Sequence, residues 1–290
     1  MSILRKTSDF LRLIKFSHSV FALPFAFTGA LIAAGGIPSL RQIIWITVAM
    51  VGARTVAMGL NRIIDSKIDA LNPRTKEREI PKGIIKKSEA FFYTLLALAV
   101  FIFAAYSLNP LCLKLSPLAV FVVALYPYAK RFTSLSHLIL GLALSFAPFG
   151  AWVAITGSLD TAILPLSFAV LFWVAGFDIF YAMQDMEFDR RHALFSIPSR
   201  FGIKKSIQLA RLFHLITILL LLSLIPIFNM RGFYLVGVLI AAALLIYEHL
   251  LVKPDDLSKI DMAFFNMNGY ISITLFLFTL LDYLVPFTIL

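Results

Sequence analysis

Nine long apolar stretches leave this chain few ways to fold. They run at about 19–36, 43–64, 90–107, 111–128, 135–155, 162–183, 209–228, 233–251 and 271–289. Each is near the roughly 20 residues that a helix needs to cross a bilayer. Lipid offers no partner to backbone N–H and C=O groups, so only helices and closed barrels span it. Barrel strands alternate apolar and polar residues, and these runs do not. The expected fold is all-α: a nine-helix transmembrane bundle, with residues 1–290 as a single domain. Only 14% of the residues are charged, where a soluble domain has about 25%. The first run has a signal peptide as its alternative, but such an apolar core is only about 7–15 residues long. It is read as a retained span.

The net charge of +10 does not imply a nucleic-acid partner, because the basic residues lie in short segments between the runs. They fit attraction to anionic headgroups and a positive-inside topology. Segments at the N-terminus, 62–88, 130–131, 190–211 and just after the eighth run hold 22 of the 26 Lys and Arg residues. Only Arg41, Lys114 and Arg231 fall on the other side. The N-terminus is therefore expected in the cytoplasm of a prokaryote, in a multi-pass protein of its plasma membrane. The single cysteine, Cys112, excludes a disulfide framework and cysteine-rich zinc sites.

Two acidic stretches stand out. Asn61, Asp65 and Asp69 are spaced by four, which puts an amide and two carboxylates on one helical face. Asp178, Tyr181, Asp185 and Asp189 lie at offsets of three, seven and eleven, again one face. Both stretches end apolar runs on the expected cytoplasmic side. Carboxylates at membrane depth are costly and usually functional. Ion pairing alone would need cations inside the spans, and only Arg54 lies there. Oxygen ligands without His or Cys suit Mg²⁺, which favours carboxylates, water and substrate phosphates. The expected ligands are Asp65, Asp69, Asp178, Asp185 and Asp189, and the expected substrate is a diphosphate.

Basic residues follow each acidic stretch. Arg74, Arg78 and Lys82 come after the first, Arg190 and Arg191 after the second, and Tyr126, Lys130 and Arg131 end the fourth run. Each reads as a topology marker or as an anion ligand, and Arg78 and Lys130 are favoured as ligands. Arg54 precedes Asp65 by eleven residues and shares its face. It is read either as a bidentate site for an anionic co-substrate such as an aromatic carboxylate, or as the structural partner of an aspartate. Tyr181 is expected to bond a phosphate or an aspartate. His18, His137, His192, His214 and His249 show no metal-ligand spacing and are read as packed or interfacial. The segments 65–88 and 185–208 are long enough to cap a site. An acidic span, a long basic segment and two apolar runs recur with an offset of 120 residues, which is compatible with duplication.

With these motifs in hand, the chain resembles the UbiA superfamily of intramembrane prenyltransferases. Asn61-x-x-x-Asp65-x-x-x-Asp69 is similar to its first signature, followed by Asn72-Pro-Arg74-Thr75 and Arg78-x-x-Pro81. Asp178-x-x-Tyr181-x-x-x-Asp185-x-x-x-Asp189 is similar to its second. Tyr126-Pro-x-x-Lys130-Arg131 is similar to an element of its 4-hydroxybenzoate branch. The resemblance implies transfer of a polyprenyl group from a polyprenyl diphosphate to an aromatic acid acceptor, with nine helices and two cytosolic cap loops. It implies that Asp65 and Asp69 bind one Mg²⁺ and that Asp185 and Asp189 bind another. Asn61 and Asp178 would support them, and Arg78 and Lys130 would hold the diphosphate. It places Asp65, Asp185, Tyr181 and Lys130 at the reacting group, and Arg54, Asn61, Arg74, Arg78, Tyr126, Lys130 and Arg131 around the substrates. The segment from Ile14 to Pro24 resembles members tied to futalosine-type menaquinone synthesis, which leaves the acid itself open. Other acceptors on the same scaffold, and an ion-coupled transporter, are the competing expectations.

Overall fold

The computed structural model describes residues 9–14 and 23–285. The segments 1–8, 15–22 and 286–290 lie outside the described residues, and with them His18 and most of the Ile14–Pro24 motif. Ten α-helices follow in order: α1 Leu23–Ala34, α2 Leu40–Leu71, α3 Lys87–Leu108, α4 Pro110–Ala129 and α5 Ser136–Thr156. Then come α6 Leu164–Ala182, α7 Met186–Arg191, α8 Ile197–Phe228, α9 Gly232–Leu251 and α10 Asn268–Leu284. A short 3₁₀ turn precedes α6, another joins it to α7, and a π-turn, Met262–Met267, leads into α10. Among the described residues eight helical stretches are long and apolar enough to cross a bilayer, and α1 is a shorter apolar helix. This is the expected all-α transmembrane bundle, with eight spans and one shorter apolar helix among the described residues, and the chain is an integral membrane protein.

Local chemistry sets the helix ends. Ser39 accepts a hydrogen bond from the Gln42 N–H and Gln42 answers on the Ser39 N–H, a capping box that opens α2. Asn109 caps α4 ahead of Pro110, whose missing N–H costs nothing at a first turn. Ser196 and Ser199 cap α8, with Pro198 in its first turn. Gly157 ends α5 at φ 68, a left-handed angle open to glycine without strain. At the end away from the aspartate motifs, Asp282 of α10 accepts the Arg231 N–H at 2.7 Å and the Tyr234 N–H at 2.9 Å. A carboxylate thereby satisfies the first turn of α9 from across the bundle.

Two readings of the chain change here. The segment 185–208 is not a long loop. It folds into α7, a turn at 192–196 and the start of α8, with a kink at Gly202, φ 76. Its basic residues hide a helix that is capped by Ser196 and Ser199 and packs Ile197, Ile203 and Ile207 into a core cluster. The second acidic stretch is likewise not one continuous helix, because Met183–Asp185 tightens into the 3₁₀ turn. Asp185 and Asp189 are thus re-aimed relative to Asp178.

α6 is the axis of the bundle. Of its most apolar window 78% is buried inside the protein, against 17% in α3 and in α4, which face lipid. α5 packs on one side of α6 and α8 on another, while α2 pairs with α3, and α9 with α10. Trp173, Val170 and Phe177 of α6 meet Phe25, Leu221, Tyr234 and Ile271 in the largest core cluster. Small residues allow the close approaches, as in other membrane bundles. A Cβ on Gly141 would collide with the backbone oxygen of Leu171, and one on Gly59 with Thr94 Oγ1.

Candidate active site

One face of α2, from Ile46 to Asp69, lines a cavity of about 440 Å³ whose other walls come from α3, α4, α5 and α6. Its far end is apolar, with Ile46, Leu108, Cys112 and Ala154. Its near end carries Asp65, Asp69, Asp178, Tyr181, Asp185 and Asp189 with Arg74, Arg78, Lys130 and Arg131. The two acidic stretches, 120 residues apart in the chain, therefore face one space. Asn61, Arg54 and Tyr126 line it as well, whereas Lys82, Arg190 and Arg191 do not.

The carboxylates are not bare. Arg131 donates to Asp65 Oδ1 at 2.9 Å, and Asn61 donates to Asp65 Oδ2 at 3.1 Å. Arg78 spans both oxygens of Asp69, at 2.7 and 2.9 Å. Arg74 forks onto Asp185, its Nε on Oδ1 at 2.9 Å and one terminal nitrogen in a short ion pair with Oδ2, while its other terminal nitrogen donates to Tyr181 Oη at 2.7 Å. Asn72 adds a bond to Asp185 Oδ1 at 2.9 Å. Lys130 Nζ stands 4.0 Å from Asp189 Oδ2, and that buried oxygen has no hydrogen-bond partner among the described residues. This corrects the expectation that ion pairing needed cations inside the spans. The cations reach in from Asn72–Lys86 and from the end of α4. Burial would push the Arg74 guanidinium down, but its bonds to Asp185 more than reverse this and hold it above its ordinary value.

The segment after α2 is built to hold these arginines. Thr75 Oγ1 donates to the Asp69 carbonyl at 3.1 Å, and the Asn72 side chain accepts the Arg74 N–H at 2.9 Å. Phe195, in the turn before α8, donates its N–H to the Lys130 carbonyl at 2.7 Å. The turn before α8 is thus tied to the end of α4 beside the acidic mouth.

Asp178, expected among the ligands, also has a histidine partner. Its Oδ2 is 2.7 Å from Nδ1 of His137, a fully buried side chain at the start of α5. His137, expected to be packed or interfacial, is packed, and it also bonds an acidic residue of the cavity. Asn72, two residues before Arg74, is a further residue of the site that the spacing of the acidic stretches does not point to. His214 and His249 bond to each other at 3.0 Å among α8 and α9 and are packed residues, as expected. Arg54 has no aspartate partner. Among the described residues it makes no ion pair or hydrogen bond, and its buried Nε is unsatisfied. Eleven residues of helix put it roughly 16 Å deeper than Asp65. The site therefore has a charged mouth suited to a multiply charged anion, apolar walls, and one unpaired cation in its depth.

Residues 22–270 match the model of the UbiA prenyltransferase family. A 4-hydroxybenzoate octaprenyltransferase of Vibrio atlanticus (strain LGP32) is 30% identical over 238 residues, which is 82% of this chain and 84% of that protein. One from Francisella tularensis subsp. novicida (strain U112) is 30% identical over 258 residues, 89% of this chain and 90% of its own. The apo structure of a UbiA homolog from Aeropyrum pernix K1 superposes with a TM-score of 0.84 at 32% identity, over 92% of this chain and 98% of that one. A UbiA homolog from Archaeoglobus fulgidus, solved with DMAPP and Mg²⁺, shares the fold at a TM-score of 0.71 and 21% identity, over 96% of this chain and 100% of that one.

Proposed function

Starting from the fact that this chain belongs to the UbiA prenyltransferase family, we propose that it moves a polyprenyl group from its diphosphate to 4-hydroxybenzoate or a related aromatic acid. The new bond forms at the ring carbon ortho to the hydroxyl, a step of quinone synthesis. Family membership removes the ion-coupled transporter from consideration. The observation that carries the reading is the cavity itself: two aspartate pairs at its mouth and an unpaired Arg54 in its depth.

The donor set fits Mg²⁺. Among the described residues no three carboxylate, histidine or cysteine side chains converge as a cage. Mg²⁺ does not ask for one, since it keeps waters and binds through one or two carboxylates plus substrate phosphates. Asp65 and Asp69 would hold one ion, and Asp185 and Asp189 another. Asn61 orients Asp65 through its hydrogen bond. When bound, Mg²⁺ supplies positive charge to the diphosphate as it leaves.

The chain's own groups do the rest. Arg74, Arg78, Lys130 and Arg131 lie within reach of both the aspartates and an entering diphosphate. They exchange carboxylate for phosphate oxygens as the substrate arrives, and Arg and phosphate pair bidentately. Tyr181 Oη, held by Arg74, bonds the same anion. Phe101, Leu115, Ala119 and their neighbours take the prenyl chain. Tyr126 and Phe177 flank the allylic carbon, and the closed caps keep water from the cation. Arg54 holds the carboxylate of the acceptor. We place the mouth on the cytoplasmic side of the plasma membrane, since the loops there carry most of the Lys and Arg residues. Residues 1–290 act as one domain.

The test is mass spectrometry of products from the purified protein in nanodiscs, with geranyl diphosphate, Mg²⁺ and a panel of acceptors. The panel holds 4-hydroxybenzoate, a dihydroxynaphthoate, homogentisate and uncharged phenols. The proposal expects ring-prenylated aromatic acids. Product from uncharged phenols alone would overturn it.

A further inference from the structure

We propose that His137 is a positioning residue, fixing Asp178 so that its free oxygen accepts the hydroxyl proton of the acceptor during ring alkylation. The inference rests on the acceptor reading above. His137 Nε2 receives the backbone N–H of Ile197 at 3.3 Å. An N–H can only donate, so Nε2 carries the lone pair and the ring proton sits on Nδ1, 2.7 Å from Asp178 Oδ2. The imidazole is anchored on both nitrogens and fully buried, so it holds one carboxylate oxygen in a set direction. Asp178 Oδ1 has no hydrogen bond among the described residues, yet Asp178 lines the cavity.

The position suits an acceptor better than a metal. Asp178 lies seven residues before Asp185, roughly 10 Å deeper along the wall. That is away from the aspartate pairs and toward Arg54. With the carboxylate of the acceptor on Arg54, its hydroxyl turns back toward the mouth, where Asp178 and Tyr126 stand in each other's field.

The C–O bond to the diphosphate breaks and its electron pair leaves with the diphosphate. The ortho carbon supplies the pair for the new C–C bond while the hydroxyl proton passes to Asp178 Oδ1, giving a neutral cyclohexadienone. The ortho C–H proton then leaves to the departing diphosphate, and Asp178 returns its proton to the ring oxygen.

Two substitutions separate positioning from packing. In His137→Asn the amide nitrogen replaces Nδ1 and keeps the donor to Asp178. In His137→Gln the amide reaches the Nε2 position and keeps the acceptor for Ile197 without that donor. Expected is a fall of about 100-fold in kcat for His137→Gln and for Asp178→Asn, with kcat restored in His137→Asn. KM for geranyl diphosphate and the Mg²⁺ concentration for half-maximal rate should stay at wild-type values in all three. Equal losses in the Asn and Gln variants, tracking thermal stability, would overturn the positioning role. A raised Mg²⁺ requirement in Asp178→Asn would overturn the proton-accepting role and make Asp178 a ligand. A fully active His137→Gln beside a normal wild type overturns this inference alone. A wild type that alkylates no hydroxyl-bearing acid overturns the acceptor reading on which it rests.

Discussion

Replacing Arg54 with methionine separates substrate recognition from stability in one residue. Arg54 makes no ion pair or hydrogen bond among the described residues, and its buried Nε is unsatisfied. Methionine keeps the length of the stem and suits a helix. The change orphans no carboxylate, and it removes a guanidinium that was desolvated without compensation. The unfolding midpoint should therefore hold or rise. Activity should fall, because a carboxylate on Arg54 would make two charge-assisted hydrogen bonds. Their net loss is about 3 kcal/mol, roughly a hundredfold in kcat/KM for 4-hydroxybenzoate. The KM for the prenyl diphosphate, bound at the mouth, should not move. The assay is steady-state kinetics with 4-hydroxybenzoate and with a phenol that lacks the carboxylate. The wild type should prefer the acid by about the same factor, and Arg54→Met should lose that preference. A loss equal for both acceptors would refute the reasoning, as would a variant that unfolds earlier than the wild type.

Two further outcomes test the scaffold. Gly141→Val sets a side chain against the Leu171 backbone oxygen, and should cost about 2 kcal/mol or more in reversible unfolding in detergent; an unchanged midpoint would contradict the close packing of α5 on α6. Asp282→Ala removes the acceptor of two N–H groups at the start of α9. It should cost about 1–2 kcal/mol of stability while kcat stays at the wild-type value, since Asp282 lies at the end away from the aspartate motifs. A lost kcat in a folded Asp282→Ala protein would argue against that division of labour.

Much of this molecule was legible in the chain, and the exceptions have physical causes. Apolar runs report spans because lipid tolerates few other structures, so α2 to α6 and α8 to α10 follow from length and composition. The spacing of Asn61, Asp65 and Asp69 held because α2 is unbroken through Leu71. The spacing from Asp178 to Asp189 held less well. A 3₁₀ turn at Met183–Asp185 intervenes, and local backbone tightening leaves no mark in residue periodicity. The start of α8 is hard to read because Arg200, Lys204 and Lys205 interrupt its apolar stripe of Ile197, Ile203, Ile207 and Ala210, and its caps, Ser196 and Ser199, speak only once the helix is known. Ion pairs such as Arg74 with Asp185 and Arg131 with Asp65 join segments far apart in sequence. His137 is the sharpest case: position 137 looks like any buried residue until α5 and α6 are packed, and only then does its ring meet Asp178. The same holds for Asp282, an intramembrane acid whose partners are backbone N–H groups and so leave no trace in side-chain chemistry.

The central claim is that both aspartate pairs share one diphosphate through Mg²⁺. Calorimetric binding of an unreactive farnesyl thiodiphosphate tests it most directly, on the wild type and on Asp65→Ala and Asp185→Ala proteins that remain monodisperse and helical. The account predicts binding to the wild type only when Mg²⁺ is present, and its loss in each single variant. Wild-type affinity in either variant, or binding that survives EDTA, would contradict it.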